Sequence, residues 1–524
     1  MLKLSELWST KDHTHVCGYL HHPRLGCLEA AALAEYFAQI PDESSLVSEL
    51  SHANGCFALI QEQAGSLLAA VDKTRSYPIF WDQSGNLADK SEALASLSIQ
   101  SLKAGEPQLL AEFLMTGFVT GADTLHPQLK QIPAGNYLKL EQGHKPKLQP
   151  YFRYLHSALQ DQPLPELISA LHAVHLKIAE RVLNSINGRQ IVIPLSGGYD
   201  SRLLAYLFTE LGYRDILCFS YDSPRHAESR ISQRTAQYLS LPWIFIEHSH
   251  KSWYEAYHSP SRREFYRYAV NASSSAHIQD WLAVKEMQKL ISAEAVFIPG
   301  HTGDFIEGAH LPLVYKNQQS FSREELIRQI SAFHYRLWPD PGQNAVQAFN
   351  ERIQSIIHAP QEMTADQSAS LYEYWDLQER QAKFIFNSMR VYESLGYSWR
   401  LPLWDSELMD FWAQVPLKWR VGRRLWHHYA SQMLKIPVPI YRHPSLSNRI
   451  VDKLLRVAVG ELRNVRYGRF ADYRNCRQYA QEKVANYLRN DISYPSFIKA
   501  DRPLIRCDMN ALQALIAIFE LRDH

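Results

Sequence analysis

The sequence predicts an α/β protein, in which a region rich in strands precedes a doubly wound parallel sheet with a helical C-terminal part. Short apolar, β-branched runs at 190–195, 215–222 and 243–249 alternate with helical patterns between 164 and 241. This alternation is typical of parallel strands joined by helical crossovers. Before residue 150, the apolar runs are instead separated by Pro and Gly turns. We therefore expect two different architectures along the chain.

Length and composition limit the class of protein. The chain has 524 residues, which predicts two to four domains at roughly 100–200 residues each. Hydrophobic residues make up 46% and charged residues 21%, as in soluble globular proteins, and the net charge of +1 gives no reason to expect nucleic-acid binding. The six cysteines form no CxxC pair, which argues against a zinc site or a disulfide framework. We expect a cytoplasmic protein without a signal peptide or transmembrane segment.

Composition along the chain also suggests domain boundaries. The runs at 56–61 and 66–72 flank a Gln-Ala-Gly turn and predict a β-hairpin, and 132–141 predicts a further strand. The stretch 143–150 is polar and contains two prolines, as linkers often do. The expected parts are a β-rich domain (1–150), an α/β domain (151–445) and a helical C-terminal extension (446–524).

The extension begins with an Arg-rich stretch at 449–477 that has apolar residues at helical spacing. It is interpreted either as an amphipathic helix packed on the core or as a surface for an anionic partner or membrane.

The clearest functional signal is the segment IVIPLSGGYDSRLL, in which a strand ends at Ser196-Gly197-Gly198 and a helix begins near Asp200. Two glycines allow a tight turn and close approach to an anion, and the helix start presents unpaired N–H groups. Ser196 and Ser201 add hydroxyl donors. The loop lacks the GK[ST] of a Walker motif. Asp200 makes chemical sense there if Mg²⁺ lies between it and a phosphate, whereas an ordinary glycine turn would use Asp200 only as a helix cap.

The SGGYDS segment resembles the pyrophosphatase loop of the asparagine synthetase family, which also includes β-lactam synthetases and lasso-peptide cyclases. The resemblance implies a domain that converts a carboxylate and ATP into an acyl-adenylate and pyrophosphate, after which an amine displaces AMP. ATP and Mg²⁺ are the implied cofactors. The implied nucleotide-binding residues are Ser196, Gly197, Gly198, Asp200, Ser201 and Gly300.

Two further segments resemble the same family in the expected order. AVFIPGHTGDFIEGAH (295–310) resembles the second signature, with Gly300 and Asp304 at matching positions. The resemblance implies that Asp200, Asp304 and Glu228 are the metal-binding carboxylates. GYSWRLPLWDSELMDFW (396–412) resembles a later element, in which Arg400, Pro402 and Asp405 match.

The N-terminal half resembles the later strands of the family's glutaminase domain, through NGCFALI, AVDKTRSYPIFW and IPAGNYL. This implies a truncated Ntn-type β-sandwich. Glutaminases of this family use an N-terminal cysteine as nucleophile, but position 2 is Leu2 and the first cysteine is Cys17. Cys17 aligns better with the oxyanion asparagine of a later strand. We expect a remnant without glutaminase activity that packs against the synthetase domain.

The synthetase signatures also depart from the family pattern. His301 replaces a catalytic Glu, and Phe305 replaces the following acid, with Glu307 two residues further on. The family's late catalytic Lys is absent, and the matching segment reads Arg442-His443-Pro444. Arg442 or His443 is then the substitute cation. Loss of the fixed Lys would remove electrostatic stabilisation of the adenylation transition state. His301 is interpreted either as the base for the incoming amine or as a loop histidine with a satisfied hydrogen bond. The predicted catalytic residues are therefore His301, Asp304 and Arg442.

Three functions remain open at this stage. The first is an amide-forming ligase that takes a small-molecule, sugar or peptide carboxylate and ammonia or an amine; resemblance to members from bacterial surface-polysaccharide clusters suggests a uronic acid. The second is an intramolecular cyclase of the β-lactam or lasso-peptide type. The third is a nucleotide-binding pseudoenzyme, which the paired carboxylates Asp200 and Asp304 oppose because such pairs are costly without a cation. The sequence also allows a homodimer.

Overall fold

The computed structural model describes residues 1–437 apart from short gaps at 64, 97–100, 102–104, 158–161, 223–226, 250–251, 253–254, 257 and 338–342. The predicted C-terminal extension (446–524), with its Arg-rich stretch, lies outside the described residues, and so do Arg442 and His443. Among the helices of the described part, none is long and apolar enough to cross a membrane.

The described strands and helices follow in chain order. The strands are β1 (Leu2–Lys3), β2 (Ser9–Lys11), β3 (Thr14–His22), β4 (Gly26–Glu29), β5 (Gly55–Gln63), β6 (Ser66–Val71), β7 (Phe80–Asp82), β8 (Leu87–Ala88), β9 (Leu129–Gln131), β10 (Asn136–Glu141), β11 (Lys147–Pro150), β12 (Ile191–Pro194), β13 (Ile216–Asp222), β14 (Trp243–Glu247), β15 (Val296–Phe297), β16 (Ser320–Ser322), β17 (Glu362–Thr364) and β18 (Ser398–Trp399). The α-helices are α1 (Ala30–Ala38), α2 (Glu43–His52), α3 (Ser91–Leu94), α4 (Pro107–Thr116), α5 (Leu164–Ile186), α6 (Asp200–Glu210), α7 (Ala227–Tyr238), α8 (Pro260–Val270), α9 (Trp281–Met287), α10 (Gly303–Ile306), α11 (Arg323–His334), α12 (Gln343–Ile357), α13 (Ala365–Asp376), α14 (Met389–Ser394), α15 (Ser406–Gln414), α16 (Leu417–Arg420) and α17 (Arg424–Met433). Other helical turns cover Leu313–Lys316, Leu377–Ile385, Phe386–Ser388 and Pro402–Trp404.

Two sheets and a layer of helices make up the N-terminal region. One sheet has the order β11-β10-β6-β5-β3-β2, with β4 added beside β3, and the other has the order β1-β8-β7-β9. The predicted hairpin is present, since β5 and β6 pair antiparallel. Because side chains alternate along a strand, Ala58 and Ile60 pack with residues of the second sheet, whereas Phe57 and Leu59 pack with α1 and α2. This layering fits a sandwich, and its assignment to the Ntn type stays a prediction.

A five-stranded parallel sheet lies at the centre of the second region, with the order β14-β13-β12-β15-β18. Each of the apolar runs at 190–195, 215–222 and 243–249 contains one of these strands, which confirms the predicted parallel sheet. The chain adds β13 and β14 on one side of β12, and β15 and β18 on the other side. The loops that follow β12 and β15 therefore open at the topological switch point, where α/β sheets commonly bind ligands.

The N-terminal region packs closely on the region of the parallel sheet. The rings of Tyr77 and Trp399 stack with centroids 5.7 Å apart. Deeper in this interface, Lys383 donates to the carbonyl oxygens of Val119 (2.7 Å) and Gly121 (2.8 Å) and to the carboxylate of Glu379 (2.6 Å). The expected packing of the two regions is therefore present, and it includes hydrogen bonds from a buried, ion-paired lysine as well as apolar contacts.

Candidate functional site

The loop between β12 and α6 is held by its own hydroxyl groups. The N–H of Ser196 donates to Oγ of Ser201 (3.0 Å), and the N–H of Gly198 donates to Oγ of Ser196 (3.1 Å). The two hydroxyl oxygens lie 3.1 Å apart. The sequence correctly predicted a strand, a glycine turn and a helix start at this point. The loop therefore brings the N-terminus of α6 to the carboxyl edge of the sheet, where an anion is favoured.

Glu228 lies beside this loop, as the resemblance implied. Its Oε1 accepts a hydrogen bond from the N–H of Gly197 at 3.3 Å, and it belongs to the first turn of α7. That loop N–H therefore faces a carboxylate in this structure. The assignment of Glu228 as a metal ligand stays a prediction.

Two glycines of the second loop, which follows β15, lie directly against the first loop. A Cβ atom on Gly300 would lie 2.7 Å from the backbone nitrogen of Ser201, and one on Gly303 would lie 2.6 Å from Cγ of Asp200. Real Cβ atoms essentially never make contacts this short, so a side chain at Gly300 would displace the backbone of Ser201, and one at Gly303 would displace the side chain of Asp200. The sequence analysis identified Gly300 but missed Gly303. The structure thus brings the two predicted motifs into contact.

The carboxylates of Asp200, Asp304 and Glu307 converge on one guanidinium group, that of Arg423. Nη1 of Arg423 donates to Oδ1 of Asp304 at 2.6 Å, and Nη2 lies 3.4 Å from Oδ1 of Asp200 and also donates to Glu307. Arg423 precedes α17 and has a left-handed backbone (φ 57°), as does the preceding Gly422 (φ 70°). The sequence analysis did not identify Arg423, because nothing in the local pattern links it to motifs more than a hundred residues away.

Burial and mutual repulsion shape the electrostatics of this cluster. Burial, reinforced by Asp304, raises the pKa of Asp200 to about 7, although Arg423 opposes the change. Burial also raises the pKa of Glu307 well above its usual range, again against the effect of Arg423. The neighbouring carboxylates outweigh desolvation and raise the pKa of Arg423 above its ordinary value. One cation therefore offsets three acidic groups only in part.

The donor chemistry of Asp200 and Asp304 fits Mg²⁺, which prefers carboxylate oxygens. Gly303 leaves the approach to the Asp200 carboxylate free of a side chain. In the described ranges, however, no three His, Cys, Asp or Glu side chains are grouped as a metal site. The carboxylates of Asp200, Asp304 and Glu307 instead contact the guanidinium group of Arg423.

His301 follows Gly300 and is half-buried. Its ring centroid lies 6.1 Å from that of His277. Burial lowers the pKa of His301, and Asp280 opposes the change. The imidazole is therefore neutral at neutral pH and able to accept a proton.

A second imidazole at the end of the same loop has a carboxylate partner. Nδ1 of His310 lies 2.6 Å from Oδ2 of Asp376. Burial favours the neutral acid at Asp376, but the nearby His310 and His334 outweigh it and hold the pKa of Asp376 below its usual range. An imidazole oriented by a carboxylate is a common proton acceptor. His310 lies within the segment that resembles the second signature. The sequence did not predict its pairing with Asp376, because 66 residues separate the two.

The third resembled element lies away from the cluster of carboxylates. Arg400 donates to Oγ of Ser185 at 3.0 Å, pairs with Glu29, and lies 4.3 Å above the ring centroid of Tyr19. Asp405 caps α15 and accepts hydrogen bonds from Arg181 and Asn54, with the Asn54 bond at 3.0 Å. These residues hold the N-terminal region against the region of the parallel sheet.

The cysteines of the N-terminal region are poor candidates for a nucleophile. Cys17 lies in β3 and is 4% exposed, and Cys56 accepts a hydrogen bond from the hydroxyl of Tyr19 at 3.4 Å. Burial raises the pKa of both thiols far above the usual range, and it raises the pKa of the part-exposed Cys27 to about 11. A thiol of this kind carries almost no reactive thiolate at neutral pH.

One comparison with known proteins covers the region that contains the two loops. A family model described as asparagine synthase matches residues 186–435. No curated protein matches the chain. Among solved structures, one titled as the allosteric regulatory enzyme of purine biosynthesis has 10% identity and a TM-score of 0.19; the match covers 46% of this chain and spans 62% of that chain. The family match shows an asparagine synthase domain at residues 186–435 and supports an asparagine synthetase-like family for the chain.

Proposed function

We propose that the protein is an ATP-dependent carbon–nitrogen ligase that works through an acyl-adenylate. An oxygen of the substrate carboxylate attacks the α-phosphorus of ATP, the α–β bond breaks, and pyrophosphate leaves. An amine nitrogen then attacks the acyl carbon, the bond to AMP breaks, and the amine loses a proton. The observation that carries this proposal is the meeting of two glycine-containing loops, with Asp200 and Asp304, at the switch point of a parallel sheet.

The first loop supplies the groups that a triphosphate needs. The hydroxyl oxygens of Ser196 and Ser201 lie 3.1 Å apart in the loop that leads from β12 to the N-terminus of α6, and such a helix start favours an anion. Asp200 and Asp304 are the proposed ligands of Mg²⁺, with Glu228 as a further carboxylate beside the loop. When bound, Mg²⁺ neutralises the charge that develops on the leaving pyrophosphate.

The amine has to lose a proton as the amide forms. His301 is the proposed acceptor, because its lowered pKa keeps the ring neutral and it directly follows Gly300, which contacts the first loop. Arg442 is proposed as the substitute for the fixed cation of the adenylation step.

We also propose that the N-terminal region has no glutaminase activity. The burial of Cys17 and Cys56 and the raised pKa of their thiols support this. The amine is then ammonia from solution, ammonia from a partner, or an amino group of the substrate. A uronic acid of a surface polysaccharide is the proposed carboxylate, and peptides with a free carboxylate are the alternative to screen.

Two sets of contacts favour a second candidate, a nucleotide-binding protein without ligase activity. The guanidinium group of Arg423 contacts Asp304 and Asp200, the proposed metal ligands. The carboxylate of Glu228 accepts a hydrogen bond from the N–H of Gly197 in the phosphate loop. If these contacts were permanent, the protein would not turn over.

Carboxylate-dependent exchange of labelled pyrophosphate into ATP separates the two candidates. Uronic acids and peptides are screened with and without ammonium, and AMP formation is followed in parallel. We expect exchange with the wild type, its loss in Asp200→Asn and Asp304→Asn, and its retention in the matched control Asp215→Asn, which changes an exposed Asp just before β13. Nucleotide binding without exchange for any carboxylate would favour the non-catalytic candidate.

A further inference from the structure

Arg423 is placed as a counter-ion within the proposed metal site. Its two terminal nitrogens contact Asp200, Asp304 and Glu307, which come from both loops. Its side chain is 17% exposed, and its Nε has no hydrogen-bond partner among the described residues. The guanidinium is therefore held mainly by the carboxylates themselves.

We propose that Arg423 is a built-in cation that neutralises these carboxylates in the nucleotide-free protein and has to leave Asp200 and Asp304 before a divalent cation binds them. This regulation rests on the proposed function, since it concerns the same site. It gives the protein a closed state in which the metal position is blocked and an open state in which it is available.

The contact distances explain why the two cations exclude each other. The nitrogens of Arg423 lie 2.6 Å from Oδ1 of Asp304 and 3.4 Å from Oδ1 of Asp200. Mg²⁺ requires oxygen atoms at about 2.0–2.1 Å in a near-octahedral shell, which leaves no room for a guanidinium between the same carboxylates. The site therefore holds one cation or the other.

The backbone at the start of α17 offers a means of release. Gly422 and Arg423 are both left-handed, with φ of 70° and 57°. This conformation is unfavourable for a residue with a side chain, and it persists where surrounding contacts enforce it. The backbone N–H of Arg423 also donates to the carbonyl oxygen of Arg420 at 2.8 Å, so the carboxylate contacts are one part of that enforcement, and their loss to a divalent cation favours movement of Arg423.

The position next to Arg423 offers a matched control. Arg424 is exposed, lies 4.9 Å over the ring centroid of Trp419, and donates to the carbonyl oxygen of Lys418 at 3.2 Å. Arg424→Gln removes the same charge from the same helix start without touching the three carboxylates.

The experiment measures Mn²⁺ and Mg²⁺ binding by calorimetry, and melting temperature with EDTA or metal, all without nucleotide. In EDTA, Arg423→Gln should melt below the wild type and below Arg424→Gln, because three carboxylates lose their counter-ion. Metal should restore its stability and bind at least about tenfold more tightly than to the wild type, within the usual range of coupling between sites. Arg424→Gln should behave as the wild type.

Equal metal affinity of Arg423→Gln and Arg424→Gln would overturn the inference. If Arg423→Gln does not fold, Arg423→Lys decides instead, because a lysine keeps the charge but cannot span three carboxylates. Tighter metal binding than in the wild type supports the inference, and unchanged or weaker binding overturns it. Binding of Mg·AMP-CPP to the wild type is measured separately, so that a failure of the proposed nucleotide site is distinguishable from a failure of this competition.

Discussion

Substituting Gly303 by Ala tests the contact between the two loops. Gly303 is the first residue of α10, where alanine is the better helix former by about 0.5–1 kcal/mol. Helix propensity alone therefore predicts that Gly303→Ala stabilises the protein. The structure predicts the opposite, because the new Cβ would lie 2.6 Å from Cγ of Asp200 and 2.8 Å from its Oδ2.

The size of the effect follows from the displacement that the clash forces. Ordinary contacts between carbon atoms begin at about 3.5 Å, so Asp200 or the loop has to move by roughly 1 Å. Overpacking of this kind costs about 1–3 kcal/mol, which exceeds the gain in propensity. At roughly 2–4 °C per kcal/mol for a domain of this size, the melting temperature should fall by several degrees. The affinity for Mg·AMP-CPP should fall with it, because Asp200 is displaced.

Differential scanning calorimetry of Gly303→Ala and of Gly198→Ala gives the comparison. A Cβ on Gly198 meets only Oγ of Ser196, at 3.3 Å, and that hydroxyl can rotate, so this control should melt close to the wild type. A Gly303→Ala protein that is as stable as the wild type, or more stable, would refute the proposed contact.

Three further results are expected. Lys383→Met should lower the free energy of unfolding in urea by about 3–5 kcal/mol, because it leaves Glu379 buried without its partner. Lys177→Met breaks a pair whose side chains are 62% and 38% exposed, and should lower it by at most about 1 kcal/mol. Equal losses for the two variants would contradict the burial of the interface. Thiol labelling of the native protein at pH 8, read by peptide mapping, should leave Cys17 and Cys56 unmodified; rapid labelling of Cys17 would remove the support for an inactive N-terminal region. Burial lowers the pKa of His175 to about 3. As the pH drops from about 6.5 towards 3, the unfolded chain therefore binds a proton that the folded protein does not, and the free energy of unfolding falls. His175→Phe should reduce that fall by up to about 1.4 kcal/mol per pH unit, and a pH profile of stability equal to that of the wild type would contradict the burial of a neutral His175.

The regular elements could be predicted because each has a local pattern. Ile191, Val192 and Ile193 form a short buried run before a glycine turn, and the structure has β12 there. The apolar runs at 56–61 and 66–72 around a Gln-Ala-Gly turn predicted the hairpin in the same way. Such local patterns locate strands and helices without knowledge of their neighbours.

Contacts set by tertiary packing could not be predicted in the same way. Arg423 meets the two loops only because α17 packs beside them, and no local pattern marks it. Glu379 and Lys383 have the spacing of a solvent-exposed helical pair, yet the N-terminal region covers them. Arg400 matched a family element in sequence, and its role in holding Glu29 and Tyr19 became visible only from the packing of the two regions.

The central claim is that the two loops form a Mg²⁺-dependent nucleotide site, and a calorimetric titration of Mg·AMP-CPP tests it most directly. The wild type and Asp215→Ala should bind with micromolar affinity, and binding should be lost in Asp200→Ala and in the wild type without Mg²⁺. Equal binding by Asp200→Ala, or no binding to the wild type in the presence of Mg²⁺, would contradict the claim.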